Sequence, residues 1–267
     1  SQRGQWEIIH SHNQQAITQE WGAAGDISLL GDYDGDGQSD LAVFRPSDGN
    51  WYIKPSGGGA PLVITWGQET DVPVPGDYDG DGQTDLAVFR PSDGNWYVLR
   101  SSDQQAEITA WGAGYAPYLD VPVPGDYDGD GRTDVAVFRR STGTWLVKRS
   151  SDGQVEVKAW GQGTDVPVAN DYDGDGKTDF AVWRAVTGVW YIWQSATQTY
   201  RTAEWGAGLT PYQDEAVPGD YDGDGLADIA VWRAADQQWY IRCSVDGSLR
   251  AVAQGQAGSS PVATRLR

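Results

Sequence analysis

A stretch of the form D-x-D-x-D-G-x-x-D recurs five times in this 267-residue chain. In the first copy Asp32, Asp34, Asp36 and Asp40 place carboxylates at positions 1, 3, 5 and 9, and Gln38 can add its backbone carbonyl at position 7. Oxygen donors on alternate residues of a tight loop suit a hard cation. Ca²⁺ takes about six to eight oxygens at about 2.3–2.6 Å, and the glycine at position 6, here Gly37, permits the reversal. The second copy offers Asp77, Asp79, Asp81, Gln83 and Asp85, and the third Asp126, Asp128, Asp130, Arg132 and Asp134. The fourth offers Asp171, Asp173, Asp175, Lys177 and Asp179, and the fifth Asp220, Asp222, Asp224, Leu226 and Asp228. Two features set the loop apart from an EF-hand: position 12 is Val43, where that motif needs a bidentate Glu, and the flanks read as strands.

A single Asp-Gly turn of this kind could equally be a solvated surface turn. Five copies in register, using 20 of the 31 aspartates, favour five structural Ca²⁺ sites, since four like charges so close would otherwise repel and disorder the loop. Mg²⁺ is disfavoured because it keeps its waters and rarely fills an all-protein cage. Five divalent ions would offset ten of the 19 net negative charges. Extracellular fluid supplies calcium at the level such loops need and a resting cytosol does not, so the expected location is extracellular or at the cell surface.

The composition narrows the partners. Against 38 Asp and Glu stand 19 Lys and Arg, and no basic stripe exists to neutralise phosphates, which argues against nucleic acid. No apolar run approaches the roughly 20 residues that span a bilayer, so no membrane insertion is expected. The 14 Trp and 13 Tyr exclude an acidic disordered chain. Cys243 stands alone, so no internal disulfide framework holds the fold.

The elements that must position the aspartates follow from the repeat. The first aspartates, Asp32, Asp77, Asp126, Asp171 and Asp220, are spaced 45, 49, 45 and 49 residues apart. Nineteen residues after each comes a Trp (51, 96, 145, 190, 239), and fifteen later a Trp-Gly pair at 66, 111, 160 and 205, with Gln254-Gly255 in the fifth unit. In the second unit Val72–Pro75 leads into the acidic loop, 84–90 reads as a strand, 91–94 as a turn, 96–100 as a third strand and 106–111 as a fourth. A four-stranded unit of this length indicates an all-β β-propeller. Leu86 and Val88 lie on one face of the second strand and Ala87 and Phe89 on the other, as a blade packed on both sides requires. The expected domain is a single propeller over 1–267, with units at about 26–67, 71–112, 120–161, 165–206 and 215–255. An incomplete sixth blade is expected from 1–22 plus 258–267, with Pro261-Val262-Ala263 as its first strand closing the ring against residues 5–21.

The pattern D-Y-D-G-D-G-x-T-D-L-A-V-F-R-P-x-x-G-x-W-Y resembles the FG-GAP/VCBS repeat over nearly the whole chain. The resemblance implies a β-propeller with calcium in the loop between the first two strands of each blade, carried by Asp32, Asp34, Asp36 and Asp40 and their counterparts. The integrin α-subunit head and a group of fungal seven-bladed lectins are similar. This chain has too few units for seven blades.

Catalytic candidates are few. His10 and His12 fall near the turn of an N-terminal hairpin, where a surface turn is favoured over a transition-metal site. Cys243 reads as an incidental thiol in a strand, without a His partner. Arg45, Arg90, Arg139, Arg184 and Arg233 each precede the third-strand Trp by six residues, so each is expected to stack on that Trp or pair with a loop aspartate. Two four-residue insertions, after Trp111 and after Trp205, lengthen the connection between units and bring Tyr115, Tyr118 and Tyr212. With Trp111 and Trp205 these are the candidate ligand contacts, because loops that vary on a constant scaffold are where recognition sits. The expected function is a calcium-stabilised binding module, lectin-like or adhesive, with a glycan as the favoured partner. An extracellular protein partner, as for an interaction scaffold or an accessory domain of a larger secreted protein, is the alternative. A polysaccharide-degrading enzyme is disfavoured by the thin acid–base inventory.

Overall fold

The structure, a computed structural model, describes residues 4–9, 15–255 and 259–262. An N-terminal hairpin pairs β1 (Gln5–Ile9) with β2 (Ala16–Glu20). Five antiparallel four-stranded sheets follow, each built from one repeat and each with its strands in chain order. The first holds β3 (Ile27–Gly31), β4 (Asp40–Arg45), β5 (Asn50–Lys54) and β6 (Leu62–Thr65). The second holds β7 (Val72–Pro73), β8 (Leu86–Arg90), β9 (Asn95–Leu99) and β10 (Ala106–Ala110). The third holds β11 (Asp120–Pro122), β12 (Val135–Arg139), β13 (Thr144–Lys148) and β14 (Val155–Ala159). The fourth holds β15 (Val166–Pro167), β16 (Phe180–Arg184), β17 (Val189–Gln194) and β18 (Thr199–Glu204). The fifth holds β19 (Glu215–Ala216), β20 (Ile229–Arg233), β21 (Gln238–Arg242) and β22 (Leu249–Ala253). These sheets are the blades of a β-propeller.

The chain divides into two compact units, one from Trp21 to Ala159 with the first three blades, the other holding the hairpin and the chain from Trp160 with the last two. Within each unit the second strand is the centre of packing. All four residues Leu86–Phe89 are buried, because each face of β8 meets a different neighbour. Leu86 and Val88 pack with Phe44, Trp51 and Ile53 of the first blade, while Ala87 and Phe89 pack with Trp96 and with Val137 of the third. In the other unit Ile229 and Val231 of the fifth blade pack on Trp183, Trp190 and Ile192 of the fourth. The third-strand indoles of Trp51, Trp96, Trp145 and Trp190 are fully enclosed. Such a side chain contributes about 3–5 kcal/mol relative to alanine, so the aromatic repeat is the main source of cohesion.

Among the described residues the structure has five four-stranded blades and not six with an incomplete sixth. Among the described residues Gln5–Ile9 and Ala16–Glu20 form a two-stranded sheet, and Pro261 and Val262, placed by the sequence in a closing strand, belong to no strand. Residues 1–3, 10–14, 258 and 263–267 of that expected blade lie outside the described residues. The physical reason lies in the pairing. In every blade the first strand pairs with the second, as Val72–Pro73 does with Val88–Phe89. Among the described residues Pro261 and Val262 have no second strand to pair with. The C-terminal region meets the hairpin through a side chain instead: the Gly255 N–H donates to Glu7 Oε2 at 2.9 Å.

Candidate functional site

Each acidic loop joins the first strand of a blade to the second. In the first loop Asp32 accepts the Gly35 N–H at 2.7 Å and the Gly37 N–H at 2.9 Å, one on each oxygen. Asp40, completely buried, accepts the Tyr33 N–H at 2.9 Å and the Ser56 N–H at 2.7 Å. The Ser56 hydroxyl, just past β5, donates to Asp36 at 2.9 Å. The arrangement repeats with Ser101, Ser150, Ser195 and Ser244, which donate in turn to Asp81, Asp130, Asp175 and Asp224. Backbone donors therefore orient the carboxylates, and each oxygen that accepts one hydrogen bond retains a lone pair for a further partner.

Successive loops within a unit are chained together. Thr84 donates its N–H to the Asp32 carbonyl at 2.7 Å, Thr133 to that of Asp77 at 2.6 Å, and Ala227 to that of Asp171 at 2.7 Å. The side chain at position 7 lies over the position-4 glycine of the preceding loop: Gln83 over Gly35, Arg132 over Gly80 and Leu226 over Gly174. These glycines have φ near +80°, and a Cβ there would come within 2.9, 3.0 and 2.4 Å of those side chains, so both backbone and packing demand glycine. Gln83, Arg132 and Leu226 thus serve the neighbouring blade with their side chains.

Carboxylate oxygens converge in each loop to within 4.8 Å of one another: Asp32, Asp34 and Asp36 in the first, then Asp77, Asp79 and Asp85, Asp126, Asp128 and Asp134, and Asp171, Asp173 and Asp179. In the fifth, Asp222 and Asp228 converge with the thiol of Cys243. Burial pushes the Asp134 and Asp179 carboxyls up to about 6, against the backbone N–H bonds that hold them down, and the neighbouring aspartates add to the rise. Asp40, Asp85 and Asp228 are raised for the same first reason. Buried negative charge of this density is costly unless a cation offsets it. Asp173 Oδ1 and Asp222 Oδ2 are buried with no hydrogen-bond partner, as an oxygen kept for a metal would be. The residues present therefore fit a bound metal ion. His10 and His12 lie outside the described residues.

The repeated arginines have a different partner from the expected ones. Arg90 donates Nε and Nη2 to the two oxygens of Asp71, each at 2.8 Å, and the Asp71 carboxylate is wholly buried. Arg45 pairs in this way with Asp26, Arg139 with Asp120, Arg184 with Asp165 and Arg233 with Asp214. Each aspartate ends the connector that follows a Trp-Gly pair and also accepts an N–H from that connector, Gln68 for Asp71 and Ala113 for Asp120. The guanidinium lies over a tyrosine and not a tryptophan: Tyr52 under Arg45 at 4.2 Å, Tyr97 under Arg90 at 4.1 Å, Tyr191 under Arg184 at 4.5 Å. These five aspartates escaped the sequence reading, although each stands 19 residues before its arginine in every repeat.

The lengthened connectors alter this clamp. Leu146 occupies the third-blade position that holds tyrosine elsewhere, and Tyr118 from the insertion lies against Arg139 instead, at 4.7 Å. Arg233 has both Tyr212 from the second insertion, at 4.2 Å, and Tyr240, at 4.5 Å. Tyr115 meets Tyr118 edge-on at 6.2 Å. Tyr115, Tyr118 and Tyr212 remain 53%, 40% and 47% exposed. Trp111 and Trp205 sit differently: half-buried, they donate Nε1 to the Leu146 and Tyr240 carbonyls of the following blade at 3.0 and 2.9 Å.

A model of the FG-GAP-like repeat matches residues 32–88, 77–137 and 171–262. No curated protein matches the sequence. Among solved structures, an Agrocybe aegerita lectin described for specific recognition of non-reducing terminal N-acetylglucosamine is similar with a TM-score of 0.59 at 16% identity, over 92% of this chain and 73% of the lectin. A virginiamycin B lyase from Staphylococcus aureus is similar with a TM-score of 0.54 at 8% identity, over 94% and 78%. A streptogramin B lyase gives 0.56 at 10%, over 98% and 80%. At these identities the likeness is one of fold, shared by a lectin and by lyases alike. The repeat match spans most of the chain and falls on its acidic loops, and this protein belongs to the FG-GAP-like repeat family.

Proposed function

We propose that this protein is a calcium-stabilised extracellular binding module that takes a carbohydrate at the tyrosines of its two lengthened connectors. The observation that carries the reading is the exposure of Tyr118 and Tyr212 over arginines locked to buried aspartates. Sugars stack their C–H faces on aromatic rings, and a ring fixed in advance loses little entropy on binding. Tyr115 widens the first surface. The fold likeness to a lectin that recognises terminal N-acetylglucosamine is in keeping with a glycan ligand.

The acidic loops hold the ion in this reading. Aspartates at positions 1, 3, 5 and 9 would bind it with the position-7 carbonyl, and an all-oxygen donor set favours Ca²⁺ over transition metals. Bound calcium supplies positive charge that offsets the carboxylates and stiffens the link between first and second strands. Sites of this kind fill in calcium-rich extracellular fluid, which supports that location. The buried loop carboxylates are engaged by backbone N–H groups, which supports binding over catalysis.

A glycan array in millimolar Ca²⁺, repeated after EGTA with circular dichroism as the check on folding, tests the proposal. Calcium-dependent binding to one glycan class, lost in Tyr118→Ala and Tyr212→Ala, is expected. A blank array from folded, calcium-loaded protein would overturn the carbohydrate reading and turn attention to a protein partner.

A further inference from the structure

The fifth acidic loop is built differently from the others. In the second and third loops the hydroxyls of Ser102 and Ser151 donate to Asp79 and Asp128, and in the fourth the Ala196 N–H donates to Asp173 at 3.1 Å. The residue at that place in the fifth blade is Val245, 68% exposed, and Asp222 Oδ2 is left buried with no hydrogen-bond partner. At the neighbouring register the first four blades carry Pro55, Arg100, Arg149 and Gln194. Arg100 and Arg149 fold back onto Asp103 and Asp152 of their own turns. Cys243 is too short to do so, and Asp246, the counterpart of those aspartates, keeps only the turn bond they also make, here from the Ser248 N–H. Cys243 lies just past β21, is 2% exposed, and sets its thiol among the oxygens of Asp222 and Asp228 within 4.8 Å.

We propose that Cys243, Asp222 and Asp228 form a mixed sulfur–oxygen site that binds a thiophilic divalent cation of the Zn²⁺ class in preference to Ca²⁺. The inference rests on reading the loops as cation sites and departs from it at one of them. Thiolate is a poor donor to Ca²⁺, which wants about six to eight oxygens, and a strong one to Zn²⁺ and Cd²⁺. Three protein donors suit a four-coordinate ion, whose binding displaces the thiol proton to solvent. The buried Asp222 oxygen, matched by Asp173 Oδ1 in the fourth loop but here set beside the thiol, is the second donor.

Cd²⁺ is the probe. Titrated into the chain in millimolar Ca²⁺, it should raise a sulfur-to-cadmium charge-transfer band that saturates at one equivalent. Cd²⁺ should bind there about a hundredfold more tightly than Ca²⁺, and in Cys243→Ser the band should vanish and the preference fall to near parity. Cys243→Ala serves if the serine variant does not fold, with near-ultraviolet circular dichroism as the check. Cadmium uptake without the band, or a band removed by millimolar Ca²⁺, overturns the proposal. Calorimetry with Ca²⁺ alone separates the two readings. Calcium uptake by the loops with no cadmium band sinks this inference, whereas the band without calcium uptake sinks the general cation reading.

Discussion

The acidic loops and the connectors between blades come from the same repeat, yet they treat variation in opposite ways. Every loop keeps nine residues and the same pair of bonds at its end, the position-9 aspartate accepting one N–H from the tyrosine of its own loop and one from the serine after the third strand. The connectors run five residues from Trp66 to Asp71 but nine from Trp111 to Asp120 and from Trp205 to Asp214. What the connectors preserve is their end, a buried aspartate gripped by an arginine. A loop that gathers charge around a small ion tolerates no change of length, because its donors must converge. A connector with one fixed anchor can lengthen freely, and here the added residues include the exposed rings of Tyr115, Tyr118 and Tyr212.

Removal of the cation is expected to have the largest effect and to act on the loops alone. A site held at a hundred times its Kd contributes about 2.7 kcal/mol, and several such sites together rival the whole stability of a domain. Scanning calorimetry with and without EGTA should show the melting temperature fall by tens of degrees. An unchanged melt would mean that the hydrogen bonds hold the loops without an ion.

Breaking the anchor comes next. Asp71→Ala in a short connector and Asp120→Ala in a long one should each cost about 3–5 kcal/mol, since each strands a partly buried arginine and an unpaired connector N–H. Equal losses in urea denaturation would show that the clamp ignores connector length. A much smaller loss for Asp120→Ala would make the long connector self-supporting.

A smaller effect follows from pH. In the metal-free protein Asp134 and Asp179 titrate at about 6, above the ordinary unfolded value of about 3.9. A raised carboxyl favours the folded state while protonated, so that contribution is complete below about pH 3.9 and is lost as pH rises through about 6. Metal-free protein should melt higher at pH 5 than at pH 7.5, and saturating calcium should reverse the order because protons compete with the ion. A metal-free melt that rises with pH across this window would contradict the burial of those carboxyls.

The strands and the core were open to reading because both faces of the second strand are apolar and the third-strand tryptophan recurs at a fixed distance. Leu86, Ala87, Val88 and Phe89 can all be buried only between two neighbours. The sixth blade misled because short first-strand pieces such as Pro261-Val262 resemble their counterparts, although a first strand exists only on a second one. Asp71 and its counterparts went unnoticed because local patterning ranks nearby residues first, while an ion pair 19 residues apart is set by the sheet. Cys243 looked incidental because sequence does not say which way a residue just past a strand turns. In this chain it turns towards the aspartates.

The smallest effect on stability should accompany the largest effect on recognition. Tyr118→Ala and Tyr212→Ala each remove a half-exposed ring from an arginine whose aspartate partner stays in place, so each should cost about 0.5–1 kcal/mol of stability. If those rings hold the ligand, losing one stacking surface worth about 1.4 kcal/mol lowers affinity for the array-selected glycan about tenfold. Tyr52→Ala removes the equivalent ring in a short-connector blade and should match the stability loss while leaving glycan affinity unchanged. Calorimetric titration of the three variants, each confirmed as folded, decides the matter. An equal loss of affinity in Tyr52→Ala would mean that every arginine–tyrosine pair is a binding place, and the contrast between constant loops and variable connectors would then say nothing about recognition.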